Sequence, residues 1–459
     1  MFPEAFIKRI EKQDYIDRES LLDSLSGPSP VSIRVNKAKW SGTPLPSKPV
    51  AWCKTGYYLD ERPSFTADPL FHAGCYYVQE ASSMFLEEVF SQLLTENQDL
   101  RVLDLCGAPG GKSTHLSSLI GESGTLVANE VIRSRAVILS ENISKWGLSN
   151  CMVTNNDAAA FKRLHGYFDI ILVDAPCSGE GMFRDPTAIR EWSPANTVLC
   201  TERQRRIVMD VWPALKEGGI MIYSTCTFNP SENEANIKWL TGNTISESIR
   251  LDIKKYPGVE EIEYEGITGY GLHPGRIDGD GFFVALLRKT GEAGVRDVMH
   301  WKGTYSVSVN DIRIAEKMID SNPEYYYRHA DTFFRLVVKA QEFQLLKRYL
   351  RIVNGGITVF HDKNRIIIPD HQLALSSMIK DDAFPLRELD HEESLEYLRK
   401  GNLCADGGEK GWTIVRYRNI NLGFIKNIGS RINNYYPSGW RIKMEVRPEH
   451  RSNIIKWSD

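Results

Sequence analysis

The run Arg101-Val-Leu-Asp-Leu-Cys106, followed at once by Gly107-Ala-Pro-Gly110-Gly111-Lys112-Ser113, constrains the fold more than any other part of the chain. Its apolar start has the length of a buried strand, and Lys112 to Ile120 reads as the helix after it. A strand that turns through glycines into a helix lets backbone N–H groups approach a ligand closely. The positive end of the helix then favours negative charge at the same point. Such a unit opens an α/β sheet and places a binding crevice at the carboxyl end of its strand.

The segments that follow repeat the alternation. Thr125-Leu-Val-Ala-Asn129 is a second strand, with an amphipathic helix running through Ile143. Cys151-Met-Val-Thr154 and Phe168-Asp-Ile-Ile-Leu-Val173 are a third and a fourth, a helix spans Thr201–Leu215, and Gly219-Ile-Met-Ile-Tyr-Ser224 is a fifth. Gly281–Arg288 reads as a closing strand. Strands alternating with helices of this length imply an α/β fold, a doubly wound parallel sheet with helices on both faces.

At 459 residues the chain exceeds one hydrophobic core of about 250–300 residues, so further units flank the sheet. A small N-terminal α+β domain over 1–70 has an amphipathic helix (Phe6, Ile7, Ile10) and the strand Val31–Val35. The sheet domain is expected over 71–289. Lys289 to Gly303 is polar and serves as linker, an α+β linking domain follows over 304–390, and a terminal domain covers 391–459. Glu342–Leu350 reads there as a helix, and Ile366–Ile368 and Trp412–Val415 as strands. There is no internal repeat. Without a charged and apolar leader or a run of about 18 apolar residues, the chain is expected to be cytoplasmic and free of the membrane.

Two ligand classes suit the glycine turn. A phosphate loop needs Gly-x-x-x-x-Gly-Lys-Ser; Gly111-Lys112-Ser113 fits its end, but its first glycine would fall on Cys106. A nucleoside cofactor lying across strand ends wants an acid at the end of the second strand for ribose hydroxyls, and Glu130 is there. It also wants a polar group at the third strand end for the base, where Asp157 stands. Three agreeing strand ends favour the nucleoside.

Eight cysteines stand at 53, 75, 106, 151, 177, 200, 226 and 404, with no Cys-x-x-Cys pair. That spacing suits neither a zinc site nor a disulfide framework, so no metal is expected and a functional cysteine is expected to be catalytic. Asp174-Ala-Pro-Cys177-Ser-Gly-Glu-Gly181 closes the fourth strand and Ser224-Thr-Cys226-Thr the fifth. Strand ends of a doubly wound sheet share one crevice, so both thiols can face one ligand although 49 positions separate them.

Together these residues resemble the Sun-type family of RNA 5-methylcytosine methyltransferases, closest to its bacterial branch acting on 16S ribosomal RNA. The resemblance is carried by Cys106–Lys112, by Asn129-Glu130 with Arg135, Leu139 and Asn142, by Asp174–Gly181 and by Ser224–Thr227. His72–Glu80 is similar to the family's lead-in to the catalytic domain. The resemblance implies a Rossmann-like core that binds S-adenosylmethionine through Cys106, Gly107, Ala108, Pro109, Gly110, Gly111, Lys112, Glu130, Arg135, Asp157 and Asp174. It also implies Cys226 as nucleophile on carbon 6 of cytosine and Cys177 as its partner in product release. Asp174 suits the exocyclic amine and ring nitrogen 3 of the base. Sister branches act on tRNA and other RNAs.

The net charge of −3 gives no global sign of nucleic acid, but nine Lys/Arg against three acids from Gly411 to Asp459 make the C-terminal end basic. Gly423–Lys426 and Asn433–Pro437 resemble that branch's PUA-like RNA-binding domain. Tyr435, Tyr436 and Trp440 among the basic residues suit stacking on unpaired bases. Ribosomal RNA, within the small subunit, is the expected partner of a monomeric enzyme.

Overall fold

A computed structural model describes residues 2–93, 99–291, 307–404 and 408–458. The expected linker lies outside these residues from position 292 onward. At its start, Lys289 still belongs to a strand and is buried.

Five strands pair in parallel: β1 (Arg101–Asp104), β2 (Thr125–Asn129), β3 (Cys151–Thr154), β4 (Phe168–Asp174) and β5 (Leu215–Thr225), in the order β3-β2-β1-β4-β5. The order reverses at β1 and β4, which opens the ligand crevice of a doubly wound sheet there. The sheet is mixed, not purely parallel. A meander of β6 (Val259–Tyr264), β7 (Ile267–Leu272) and β8 (Phe282–Lys289) adds to β5 through antiparallel pairing of β8. At the other edge β9 (Ile352–Asn354) pairs antiparallel with β3.

The helices follow local chemistry. α1 (Gly111–Leu119) starts directly after Gly110, whose φ of 125° suits glycine alone. α2 (Arg133–Trp146) ends at the left-handed Gly147 and buries Ala136, Leu139 and Ile143. α3 starts earlier than its apolar spacing indicates and covers Pro194–Val211. The Ser193 side chain accepts the Asn196 N–H and Pro194 occupies the first turn, while Pro213 stops the helix before Leu215, which already belongs to β5.

The N-terminal unit is a four-stranded sheet of Lys48–Pro49, Gly56–Leu59, Val31–Val35 and Tyr76–Val78. A boundary at residue 70 would cut it, because Ile33 pairs with Val78 and Val35 with Tyr76. Its first helix, Glu4–Ile10, buries Phe6 and Ile10 against Phe183, Trp192 and Phe228, which follow the two cysteine motifs.

The C-terminal region forms two more four-stranded sheets, one from Tyr326 to Pro369 and one from Leu386 to Asn434. A boundary at 390 would likewise separate Leu386–Glu388 from its parallel partner Gly411–Tyr417. The linking region does not stand apart from the catalytic sheet. Helix Ala340–Tyr349 buries Ala340, Phe343 and Leu346 in the same apolar cluster as Leu103, Phe168 and Ile171. The last sheet shares a cluster with the first, where Ile33 and Tyr76 meet Val415, Leu422 and Tyr436. No helix among the described residues is long and apolar enough to cross a membrane.

The shared core predicts that Leu346→Ala, at a fully buried side chain, destabilises the protein by about 2–5 kcal/mol. Chemical denaturation followed by circular dichroism measures it. An unchanged midpoint would mean that this helix is a detachable module.

Candidate active site

The glycine turn is held rigidly from behind. The Gly107 N–H donates to Asn129 O at 2.8 Å, and Ser113 Oγ donates to Asp104 Oδ2 at 2.6 Å. A Cβ on Gly107 would lie 2.6 Å from Ser113 Oγ, so no larger residue fits. From the side, Arg135 Nη2 donates to Ala108 O at 2.9 Å and Asn142 Nδ2 to Pro109 O at 2.8 Å, both from α2. Burial pushes the Cys106 thiol up, with Asp104 adding to it, so that sulfur is a neutral part of the turn.

The three acids behave differently. Glu130, buried at the end of β2, accepts the Ile132 N–H at 2.8 Å through Oε1, while Oε2 lies 3.5 Å from Arg135. Asp157 stands at the rim beyond β3 and caps the turn at Ala159; both carboxylate oxygens meet Arg206 at 3.1–3.2 Å. Those bonds hold its carboxyl below the usual range. Asp174 ends β4. Its Oδ1 accepts from Ser224 Oγ at 2.8 Å, and its Oδ2 lies 3.0 Å from Lys112 Nζ. Burial alone would lower the Lys112 ammonium; Asp174, then Cys226 and Asp104, outweigh it and hold the charge in place.

The fourth and fifth strand ends bring the two cysteines together. Asp174 and Ser224 are register partners, and Cys177 Sγ lies 3.1 Å from Cys226 Sγ. The hydrogen bond to Cys226 pushes the Cys177 thiol well up, followed by burial and the nearby charges of Cys226 and Glu232.

Two buried carboxylates shape these loops. Glu232 accepts the Ser178 N–H at 2.8 Å and a bond from Ser178 Oγ, with Gln204 Nε2 at 3.1 Å. Burial raises its carboxyl to about 7 against the opposing pull of Ser178. Glu180 accepts the Phe228 N–H at 3.0 Å and Trp192 Nε1 at 3.1 Å. Arg9 of the N-terminal helix closes the arrangement, 2.7 Å from Glu180 Oε2 and 2.8 Å from Phe228 O. The Gly181 N–H donates to Cys226 O at 2.8 Å, so one motif clamps the other directly.

A crevice with an acid at each successive strand end, a glycine turn and paired thiols can be compared with known proteins. The model of the 16S rRNA methyltransferase RsmB/F family matches residues 91–288. Models of the RsmF N-terminal domain and the RsmF PUA domain match 2–81 and 385–442. The ribosomal RNA small subunit methyltransferase F of Escherichia coli is 32% identical over 95% of this chain and 96% of its own. The chain belongs to the RsmB/F family of methyltransferases.

A solved methyltransferase homologue from Pyrococcus horikoshii is 27% identical, with a TM-score of 0.51 over 62% of this chain and 99% of its own. NSun6 of the same organism, solved with SFG, shares the fold at 20% identity and a TM-score of 0.52 over 63% and 99%. This RsmB/F member is an S-adenosylmethionine-dependent methyltransferase. Its residues fit that cofactor: a buried acid, Glu130, stands at the end of β2, and Asp104 Oδ1 is buried beside the glycine turn without a partner.

Sequence reasoning missed Arg9 and Glu232 and quoted Glu180 only as part of a motif. No local pattern marks Arg9, because its role exists only once the N-terminal helix lies on the cysteine loops. Among the aromatics expected to stack on bases, Tyr436 is instead a core residue, 1% exposed and edge-on to Tyr397 and His371. Trp440 packs partly against the same core, while Tyr435 is exposed beside Trp412.

The clamp predicts that Arg9→Ala, by leaving Glu180 buried without its cation, destabilises the protein by about 3 kcal/mol and lowers methyl transfer. Adding Glu180→Gln should restore part of the stability; a double variant as unstable as the sum of both singles would count against the pairing. Glu232 predicts a pH effect. Its folded carboxyl, near 7, holds a proton that the unfolded chain releases above the ordinary value of 4.5. Stability should fall as pH rises through that window, by up to about 1.4 kcal/mol per pH unit. Glu232→Gln should flatten the slope in denaturation series, and an identical slope would remove Glu232 as its source.

Proposed function

We propose that this protein methylates carbon 5 of cytosine in 16S ribosomal RNA, with Cys226 as the covalent nucleophile. The observation that carries the assignment is the meeting of the two motifs: at the ends of β4 and β5, Cys177 Sγ lies 3.1 Å from Cys226 Sγ, beside Asp174 and Lys112. Which of the two attacks follows the family resemblance, and the Lys112 charge interacts with the Cys226 sulfur.

In this reading Cys106–Lys112, Glu130, Arg135, Asp157 and Asp174 hold the cofactor. Arg135 acts through the turn it braces, Glu130 meets the ribose, and Asp157 meets the adenine from the rim. When bound, S-adenosylmethionine supplies an electrophilic methyl group on a sulfonium. The Cys226 thiolate adds to carbon 6 of cytosine, and the electron pair of the 5,6 double bond moves to carbon 5. Asp174 hydrogen-bonds the exocyclic amine and ring nitrogen 3 and stabilises the altered charge. Once Cys226 is bound to the base, Cys177 releases its thiol proton to solvent, and after the methyl group is on carbon 5 the Cys177 thiolate takes the proton from that carbon. The pair left behind re-forms the double bond, and Cys226 leaves as thiolate. With Cys226 bound to the base, the neighbouring sulfur charge that opposed ionisation of Cys177 is gone.

The units flanking the sheet are assigned to RNA. The N-terminal one spans residues 2–81 and the PUA one 385–442, joined to the core by the region from 307. Tyr435 and Lys426, both against Trp412, and the exposed Arg431 offer stacking and phosphate contacts. Small-subunit RNA, not tRNA, is the substrate of this reading.

Radiolabelled methyl transfer to 16S ribosomal RNA and to tRNA tests the substrate, and the cysteine variants test the chemistry. Cys226→Ala should lose nearly all activity. Cys177→Ala should accumulate RNA as a covalent complex stable to denaturing electrophoresis, and the double variant should form none. A trapped species only in Cys226→Ala would reverse the roles. Labelling of tRNA alone would overturn the substrate.

A further inference from the structure

We propose that Cys53, Glu87 and His115 form a binding site for a divalent transition metal, best suited to zinc(II), separate from the methyl-transfer site. The three come from different elements: the loop before strand Gly56–Leu59, helix Leu86–Leu93 and α1. Nothing in their sequence spacing marks them. The fold nevertheless places one donor atom of each within 4.8 Å of the others.

Cys53 Sγ is 3.9 Å from His115 Nε2, and Glu87 Oε2 is 3.2 Å from the same nitrogen. Tetrahedral zinc with bonds of about 2.3 Å to sulfur and about 2.1 Å to nitrogen and oxygen sets such edges at about 3.6 and 3.4 Å. Both edges to His115 therefore lie within a few tenths of an ångström of those a zinc ion sets, and the third donor pair lies within 4.8 Å. A nucleophilic relay is a different arrangement, because it engages both ring nitrogens, one by the thiol and the other by the carboxylate. Here both groups face Nε2, and Nδ1 is buried without a partner. Three unlike donors converging on one point is the geometry of a metal site.

The surroundings support it. The Lys54 N–H donates to Glu87 Oε1 at 3.1 Å, which fixes the carboxylate and leaves Oε2 as the donor. Gly56 makes room for the thiol, since a Cβ there would lie 3.1 Å from Cys53 Sγ. The Arg34 charge reaches Cys53 and Glu87 and opposes a cation there, but its hydrogen bonds go to Gln79 Oε1 at 2.8 Å and Thr114 Oγ1 at 2.6 Å, which leaves the ligand atoms to the ion. A thiolate and a carboxylate balance the two charges of the ion. Cys53 and Glu87 also line a cleft of about 770 Å³ with Trp52, Lys54 and Tyr256, through which the ion enters and water takes the fourth position. Binding forms a zinc–sulfur bond and sends the thiol proton to solvent, with no change of oxidation state. The ion would tie the N-terminal sheet to the helix that begins at the cofactor turn.

Full-length protein stripped with a chelator and titrated with cobalt(II), then zinc(II), provides the test. Expected are one bound equivalent, a thiolate-to-cobalt charge-transfer band that zinc abolishes, and a higher melting temperature with zinc. Cys53→Ser should lose the band and weaken zinc binding by about tenfold or more, whereas Cys177→Ser and Cys226→Ser should keep the band. If Cys53→Ser fails to fold, Glu87→Gln carries the test: it keeps the band but binds zinc about tenfold more weakly or worse. The absence of a band in the unmodified protein would overturn the site. So would a band that survives Cys53→Ser and disappears in Cys226→Ser, or unchanged zinc affinity in Glu87→Gln.

Discussion

The parallel pairing of β4 with β5, with Asp174 opposite Ser224, is the contact on which the site depends. Residues adjacent in register leave the sheet side by side, so the two cysteine motifs emerge into the same crevice. Ser224 bonds to Asp174, Lys112 reaches Asp174 from α1, and the two sulfurs come into contact. A one-residue slip of either strand would turn every one of these side chains to the opposite face. The apolar faces of β4 and β5 prevent the slip, because Ile171, Val173, Met221 and Tyr223 are buried in one cluster and Ile170, Leu172 and Ile222 in another.

Holding polar loops at the end of a buried sheet requires polar partners for what the loops bury. Glu232 and Glu180 are both fully buried, each below a cysteine motif. One is bonded within the catalytic domain by Ser178 and Gln204, the other across domains by Arg9. An unpaired carboxylate in either place would be expelled or protonated. The cysteine loops are therefore as rigid as the bonds to these two acids, and part of that rigidity comes from the first ten residues of the chain.

The flanking units are built into the sheet and not tethered to it. The edge strand β9 and helix Ala340–Tyr349 complete the catalytic core from the C-terminal side. The first and last sheets share a core of their own, and Leu45 N–H donates to Lys456 O at 2.8 Å near the chain end. The terminal units are thus held at a fixed distance from the crevice.

Within one stretch of chain, residue order was enough. The five parallel strands from Arg101 to Thr225, the closing strand, the glycine turn, the acids at strand ends and both cysteine motifs are local patterns, because apolar periodicity and glycine conformations act over a few residues, whereas the antiparallel strands Val259–Tyr264 and Ile267–Leu272 were not read from the sequence. The limits of that reasoning are equally physical. The start of α3 rests on a Ser193 cap and its end on Pro213, and domain edges at 70 and 390 cut sheets whose partners lie far along the chain. Tyr436 reads as a surface aromatic until the core around it is seen. Arg9 beside Glu180, and Cys53 beside Glu87 and His115, are contacts between elements with no shared periodicity. The sequence by itself determined which candidate residues lie at the crevice, since those sit on the segments that make the strand ends. Only the tertiary structure decided which charges hold them in place, because long-range pairs form where packed surfaces meet and leave no spacing in the chain.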